Sequence, residues 1–231
     1  MYFYNALNQQ TAVLLPDGSE QENLYDAEYL RAGMTWNGNR TSFSYYNGEL
    51  LAENGQGGDT TCRYILGYGV AAGWNRGKEG YHYYHLDEQN STAYITGENT
   101  EIKNHYRYDG FGVVLSQQEE VSNRILYTGQ QYDQASGQYY QRARYYNPVV
   151  GRFMQEDVYR GDGLNLYAYC GNNPVVYYDP SGYNGDKCSQ NSKHTRVVER
   201  QQQISILLVI NQHQEEQDRN RTLMLKILIA L

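Results

Sequence analysis

Short stretches in which apolar and polar residues alternate recur along residues 1–183, and each stretch ends near Asn, Asp or Gly. Such alternation is typical of β-strands with one buried face, and Asn-Gly or Asp-Gly dipeptides favour the tight turns between them. Five such units are "YFYNALNQ" at Tyr2, "NLYDAEYLRAG" at Asn23, "FSYYNGELLAE" at Phe43, "YHLDEQNSTAYIT" at Tyr84 and "HYRYDGFGVVLS" at His105. A unit that returns about every 20 residues indicates a structural repeat. The sequence therefore predicts an all-β fold of antiparallel hairpins.

The pattern changes after Tyr183. Residues 184–231 contain neither Tyr nor Pro, and their apolar residues gather in "ISILLVI" and "LMLKILIAL". Both runs are shorter than the roughly 20 residues that cross a bilayer, so we predict a short helical tail and no membrane span. The tail is either the start of a variable effector domain or a degenerate remnant. Its 48 residues are few for a catalytic core, which favours the remnant.

Composition and charge narrow the class of protein. The 26 tyrosines suit sheets that are half exposed, because each ring packs while its hydroxyl needs a polar partner. A net charge of -7, from 19 basic and 26 acidic residues, argues against nucleic-acid binding, which needs clustered cations. No signal peptide is visible after Met1.

Neither a metal nor a cofactor is expected. The three cysteines lie far apart, and "GYGVAAG" at residues 67–73 is not followed by the helix that a dinucleotide-binding loop requires. His82 and His85 are three residues apart, which on a strand places them on opposite faces. We predict that both histidines are solvated and do not form a metal pair.

Two stretches carry a family resemblance. "YRYDGFGVVLS" at residues 106–116 resembles a YD repeat, and residues 126–182 resemble the RHS repeat-associated core domain, with "RARYYNPVVGRF", "GLNLYAYCGNNP" and "DPSG". The resemblance implies YD/RHS repeats at residues 1–125, the core domain at residues 126–183, and a variable tail at residues 184–231. It also implies a hollow β-shell of which this chain forms part, with the core domain as its plug.

The same resemblance implies a function and partners. Proteins of this family are large, secreted or surface-associated bacterial proteins whose shell encloses a carboxy-terminal effector, usually a toxin. The expected partners are the remainder of such a protein and its enclosed effector. The alternative is a surface-binding repeat module, since rows of exposed tyrosine with Asn, Gln and Arg are suited to carbohydrate or a partner protein. Tyrosines that point inward favour encapsulation, and an outward stripe favours binding.

At most one enzymatic reaction is implied, a single self-cleavage after the "DPSG" motif by paired carboxylates, as in aspartyl proteases. Asp157 matches the motif's aspartate, Asp162 and Asp179 are candidate partners, Arg152 is a candidate cation, and the bond is Tyr183–Asn184. The chain departs from the family pattern at Tyr183, usually Leu, and at Val158, usually Pro. The alternative is that these aspartates only cap turns, because Asp-Gly and Asp-Pro are strong turn formers.

The stretch "RARYYNPVVGRF" at residues 142–153 combines arginines with aromatic rings. Read as one continuous strand over residues 139–146, it places Tyr140, Arg142, Arg144 and Tyr146 on one face. Asn147 and Pro148 then predict a turn, and Gly151 a residue of positive φ before the next strand. We expect these arginines to hold the core domain against the repeats.

Overall fold

Twelve consecutive strands pair in chain order into one antiparallel sheet, the repeat sheet. The structure, a computed structural model, describes residues 1–158, 165–183 and 185–187. The strands are β1 Tyr2–Tyr4, β2 Gln10–Leu14, β3 Glu20–Tyr25, β4 Arg31–Trp36, β5 Asn39–Tyr46, β6 Glu49–Asn54, β7 Thr60–Leu66, β8 Val70–Asn75, β9 His82–Leu86, β10 Thr92–Thr96, β11 Ile102–Tyr108 and β12 Val114–Glu119. The predicted hairpin repeat is confirmed.

Seven turns of the repeat sheet share one geometry. The backbone N–H of the fourth residue donates to the carbonyl of the first at 2.9 to 3.2 Å, and the fourth residue has positive φ. The first and fourth residues are Asn5 and Asn8, Leu15 and Gly18, Asp26 and Tyr29, Gly55 and Gly58, Asp87 and Asn90, Gly97 and Thr100, and Asp109 and Gly112. Where Asn or Asp comes first, its side-chain oxygen accepts two further N–H groups. Each such turn satisfies its own polar backbone, which explains the recurring Asn and Asp.

A second, four-stranded sheet follows and is called the core sheet. Its strands are β13 Gln131–Asp133, β14 Gln138–Gln141, β15 Arg144–Asn147 and β16 Arg152–Phe153. The continuous strand predicted over residues 139–146 is wrong, because Arg142 adopts a φ of 58° and, with Ala143, turns the chain back on itself. Gln141 therefore pairs with Arg144, and both side chains lie on the same face. The predicted positive φ of Gly151, at 65°, is confirmed.

The remaining described residues form two short 3-10 turns, at Tyr127–Gly129 and Cys170–Asn172, and a small sheet of β17 Tyr177–Tyr178 and β18 Asp186–Lys187. The rest of the tail, for which helices were predicted, lies outside the described residues. In the part of the chain that is described, no helix is long and apolar enough to cross a membrane.

Tyrosines of the core region hold the last turn of the repeat sheet. The hydroxyls of Tyr127, Tyr146 and Tyr139 donate to three successive carbonyls at residues 110, 111 and 112, at 3.0, 2.7 and 2.8 Å. These three rings also contact one another, with Tyr127 and Tyr139 5.9 Å apart and Tyr139 and Tyr146 6.3 Å apart between centroids. Burial of the rings is therefore combined with a partner for each hydroxyl.

A cluster of four charges, two of them fully buried, joins the two sheets and is called the ion cluster. Arg31 of β4 and Asp133 of β13 form an ion pair in which both side chains are fully buried. Arg124 binds the other Asp133 oxygen at 3.1 Å and Glu53 of β6 at 3.2 Å. Burial by itself lowers the pKa of Arg31, but the charge of Asp133, its hydrogen bond and the neighbouring Tyr145 and Tyr45 together outweigh burial, and the pKa lies well above its ordinary value. The cluster contains two cations and two anions, so no net charge is buried.

Both histidines were predicted to be solvated, and this is confirmed for one of them. His85 is exposed, whereas His82, on the opposite face of β9, is only 4% exposed. The prediction of a solvated His82 is wrong, because its side chain lies on the buried face of the sheet, opposite Gly73 of β8. Burial lowers the pKa of His82. "GYGVAAG" forms the loop of the β7–β8 hairpin and the first residues of β8.

Candidate functional site

Arg144, the first residue of β15, lies at the centre of the candidate site. Its Nη2 binds Asp157 Oδ2 at 2.8 Å and Asp179 Oδ2 at 3.7 Å. Its Nε donates to the carbonyl of Gly182, and its Nη1 donates to the carbonyl of Leu166 at 3.3 Å. Because one nitrogen binds both carboxylates, these come close together although they are far apart in the sequence.

The "DPSG" turn supplies the second carboxylate. Asp179 Oδ1 accepts the backbone N–H of Ser181 at 3.0 Å and of Gly182 at 2.8 Å, which leaves Oδ2 for Arg144. Gly182 has a φ of 77°, and a Cβ at this position would lie 2.3 Å from the carbonyl oxygen of Gln141. Only glycine therefore allows the turn to pack against the end of β14.

Burial shapes the electrostatics of the site. It raises the pKa of Asp179, and the N–H groups of Ser181 and Gly182 reverse only part of this shift. Burial also lowers the pKa of Arg144, although the charges of Asp157 and Asp179 act in the opposite direction. The Arg144 guanidinium lies 3.6 Å from the centroid of the Phe153 ring, which adds a cation–π contact. One cation thus lies between an acid with a raised pKa and a second carboxylate.

Two cavities meet at the pair of Arg144 and Asp157. The larger, of about 560 Å³, is lined by Asp179 and the 3-10 turn at Cys170–Asn172 among others. The smaller, of about 240 Å³, is lined partly by two turns of the repeat sheet and is called the turn pocket. Tyr183 lines both cavities, so the end of the "DPSG" segment lies at an accessible boundary.

The structure brings together some of the predicted site residues. Asp157 and Asp179 both bind one arginine, and half-exposed Tyr183 lies beside them. Asp162 and Asn184 lie outside the described residues. Arg152 is exposed, and within the described part of the chain it forms no ion pair with Asp157 or Asp179. Their shared cation is Arg144.

Sequence reasoning missed Arg144 because it treated residues 139–146 as one strand. Arg142 and Arg144 were then placed on the same face, without a way to tell them apart. The turn separates them: Arg142 pairs with Glu49 of the repeat sheet, whereas Arg144 faces the carboxylates. In the sequence, this turn is marked by the small residue Ala143 between the two arginines. Without Gly or Pro, such a residue is too weak a signal to predict a turn.

Within the described residues, no group of three or more His, Cys, Asp or Glu side chains is placed to hold a metal ion. The groups that the described residues bring together at the candidate site are two carboxylates and one guanidinium. Two carboxylates that lie close together are suited to acid–base chemistry on a neighbouring peptide bond.

No protein-family model matches the chain. It is 33% identical over 170 residues to tRNA nuclease WapA of Bacillus subtilis, which covers 69% of this chain and 7% of the relative. It is 33% identical over 101 residues to toxin protein Tse5 of Pseudomonas aeruginosa, covering 43% of this chain and 8% of that protein. Toxin subunit YenC1 of Yersinia entomophaga is 39% identical over 90 residues, or 38% of this chain and 9% of that subunit. The chain thus spans less than a tenth of the length of these relatives.

Solved structures show the same fold. The crystal structure of TcdB2-TccC3-Cdc42 matches with a TM-score of 0.65 at 20% identity, over 79% of this chain and 10% of that one. The crystal structure of TcdB2-TccC3 matches with a TM-score of 0.63 at 22% identity, over 78% and 10% of the two chains. The twelve-stranded repeat sheet with its core sheet is an RHS-type fold. With the relatives above, it shows that the chain belongs to the RHS family.

Proposed function

We propose that this chain is a structural module of a toxin-associated RHS protein, one that forms part of the shell and its plug around an effector. The names of Tse5 and YenC1 support the association with a toxin. The fold supports a role in the shell, because a continuous twelve-stranded sheet held to a core sheet is what a length of wall with an attached plug would require. In this proposal residues 1–125 supply the wall and residues 126–183 the plug.

The orientation of the tyrosines favours enclosure over surface binding. Ten tyrosines of the described residues are buried: Tyr64, Tyr83, Tyr84, Tyr106, Tyr127, Tyr139, Tyr140, Tyr145, Tyr146 and Tyr169. The exposed ones are fewer and lie on separate elements: Tyr4, Tyr29, Tyr46, Tyr94, Tyr167 and Tyr183. An outward stripe of rings, which a carbohydrate-binding surface would need, is not present among the described residues.

We further propose that the module cuts its own chain once, between Tyr183 and Asn184. Asp157 accepts a proton from a water molecule as the water oxygen adds to the Tyr183 carbonyl carbon. Asp179 donates its proton to the Asn184 nitrogen as the carbon–nitrogen bond breaks, which leaves a carboxylic acid on Tyr183, an amino group on Asn184 and the water's other proton on Asp157. The bond belongs to the same chain, so no substrate has to be bound from solution.

The observation that carries the cleavage proposal is the set of contacts made by Arg144. It binds both carboxylates and the carbonyl of Gly182, the residue just before Tyr183. A turn-capping role explains the contacts of Asp179 Oδ1 with Ser181 and Gly182. It does not explain why Asp157, which lies outside that turn, reaches the same guanidinium.

The test is Asp157→Asn in the full chain, followed by mass spectrometry of chain made by cell-free translation. We expect the unsubstituted chain to yield two fragments whose masses add up to the intact mass plus one water. The Asp157→Asn chain should stay intact. Asp59→Asn, at an exposed wall carboxylate that pairs with Arg76, is the matched control and should be cut normally. Intact mass for the unsubstituted chain would remove the cleavage proposal and leave the structural proposal in place.

A further inference from the structure

We infer that two turns of the repeat sheet complete the cleavage site, because they form the pocket that receives the side chain of residue 183. This inference rests on the proposed self-cleavage and adds the residues that determine which side chain can precede the cut bond. The turn pocket has a volume of about 240 Å³. One liquid water occupies about 30 Å³, so the pocket has room for a large side chain.

The lining of the turn pocket comes from both sheets. Leu7 and Tyr29 belong to turns of the repeat sheet, and Ala143 and Val158 belong to the core region. These four residues make the walls largely apolar. Tyr29 also holds a φ of 64°, which is rare for an aromatic residue and places its ring at the pocket.

Backbone hydrogen bonds place residue 183 beside this pocket. The N–H of Ala143 donates to the Ser181 carbonyl at 3.3 Å, and Arg144 Nε donates to the Gly182 carbonyl. Two successive carbonyls are therefore held by the turn between β14 and β15. The next side chain, that of Tyr183, is 48% exposed and lines the pocket. It lies close enough to Arg144 to raise the pKa of that guanidinium, against the effect of burial.

The repeat-sheet side of the pocket is tied directly to the segment that carries Asp157. The Tyr4 hydroxyl donates to the Met154 carbonyl at 3.1 Å, and Asn8 Nδ2 donates to the Glu156 carbonyl at 3.4 Å. The first hairpin thus sets the width of the pocket beside Asp157. Two arginines, Arg142 and Arg144, and two acids, Glu156 and Asp157, line the same pocket, so its charged groups balance. We expect the apolar part of the lining to accept an aromatic or aliphatic side chain.

The test places a larger side chain on the wall of the pocket that the repeat sheet supplies. Leu7 is 62% exposed at a turn, so Leu7→Trp adds volume at the pocket without disturbing the hydrophobic core. The matched control is Leu24→Trp, at a leucine of β3 that is 55% exposed and does not line the pocket. We expect Leu7→Trp to slow cleavage by about tenfold or more, as overpacking does, and Leu24→Trp to leave the rate unchanged.

A second substitution separates steric blocking from damage to the site. If residue 183 occupies the pocket, Tyr183→Ala should restore most of the rate lost in Leu7→Trp, because the smaller side chain leaves space for the indole. Tyr183→Leu should be cut at close to the normal rate. Equal rates for Leu7→Trp and Leu24→Trp, or a loss that Tyr183→Ala does not reverse, would overturn the inference.

A cross-linking experiment does not depend on cleavage. With Cys170 and Cys188 changed to Ser, the pair Leu7→Cys and Tyr183→Cys should be joined by a short bismaleimide within the Asp157→Asn chain. The pair Leu24→Cys and Tyr183→Cys should remain unjoined. Failure of the first pair to cross-link would overturn the placement of residue 183. An uncut wild-type chain with a positive cross-link would instead overturn the cleavage proposal alone.

Discussion

The repeat sheet and the core sheet are both antiparallel, but different interactions determine their structures. In both sheets each strand pairs with its neighbours in the chain, and in the repeat sheet each Asn or Asp turn also satisfies its own backbone. The core sheet depends on partners far away: Asp133 binds Arg31, which lies 102 residues earlier. A hairpin of the repeat sheet can therefore form from local sequence, whereas the core sheet needs the repeat sheet in place.

The largest effect should follow from removing Asp133, the anion shared by Arg31 and Arg124. Asp133→Ala removes the carboxylate that pairs with both guanidinium groups, so positive charge remains in the interior without its counter-ion. We therefore expect a loss of about 3–5 kcal/mol in the free energy of unfolding. The control is Asp59→Ala, which removes an exposed pair with Arg76 at 2.9 Å and should cost less than about 1 kcal/mol.

Urea unfolding of the full chain in the Asp157→Asn background measures both substitutions, because Trp36 and Trp74 report on the repeat sheet. If the two sheets fold as one unit, Asp133→Ala lowers the midpoint of the tryptophan signal as well. A midpoint that moves no further than in Asp59→Ala would show that the ion cluster does not couple the sheets.

This difference between the sheets also explains what the sequence could predict. The alternation of residues in "FSYYNGELLAE" and the Asn-Gly turn are local, and they are sufficient to predict a hairpin. The turn at Arg142 was not predictable, since neither Gly nor Pro marks it and its positive φ is imposed by the packing of β14 and β15. The choice of Arg144 over Arg152 as the shared cation depends on that turn. Asp157 and Asp179 were identified through the family resemblance alone.

A smaller but more specific effect is expected at two glycines with positive φ. Gly182→Ala adds a Cβ 2.3 Å from the Gln141 carbonyl oxygen, at a φ of 77°. Gly18, in a turn of the repeat sheet, has a φ of 84°, and a Cβ added there would have no atom within 4 Å. We expect a loss of about 2–4 kcal/mol at Gly182 and about 1–2 kcal/mol at Gly18, because only the first adds a clash to the left-handed strain.

The same urea titrations measure this pair, and cleavage gives a second readout. Gly182→Ala should also slow self-cleavage, because the turn that presents Tyr183 can no longer pack against β14. Gly18→Ala should be cut at the normal rate. Equal losses of stability at the two positions would contradict the close approach of Gly182 to Gln141 and would mean that the "DPSG" turn is not held tightly against the core sheet.

The smallest effect concerns strain within the repeat sheet and should increase stability. Thr100 is the fourth residue of its turn and has a φ of 65°, which a β-branched residue rarely adopts. The equivalent position is Asn8 in one turn and Asn90 in another, with φ values of 61° and 63°. Asn tolerates this region better, so Thr100→Asn should raise the free energy of unfolding by about 0.5–1 kcal/mol.

The reverse substitution is the matched control for this turn. Asn90→Thr places a β-branched residue at the equivalent position and should lower the free energy of unfolding by a similar amount, about 0.5–1 kcal/mol. If turns of the repeat sheet are locally determined, the two changes cancel in the double variant, because the two turns lie at opposite ends of β10 and their effects add. Clear non-additivity would contradict local determination and would show that neighbouring hairpins fold as a coupled pair.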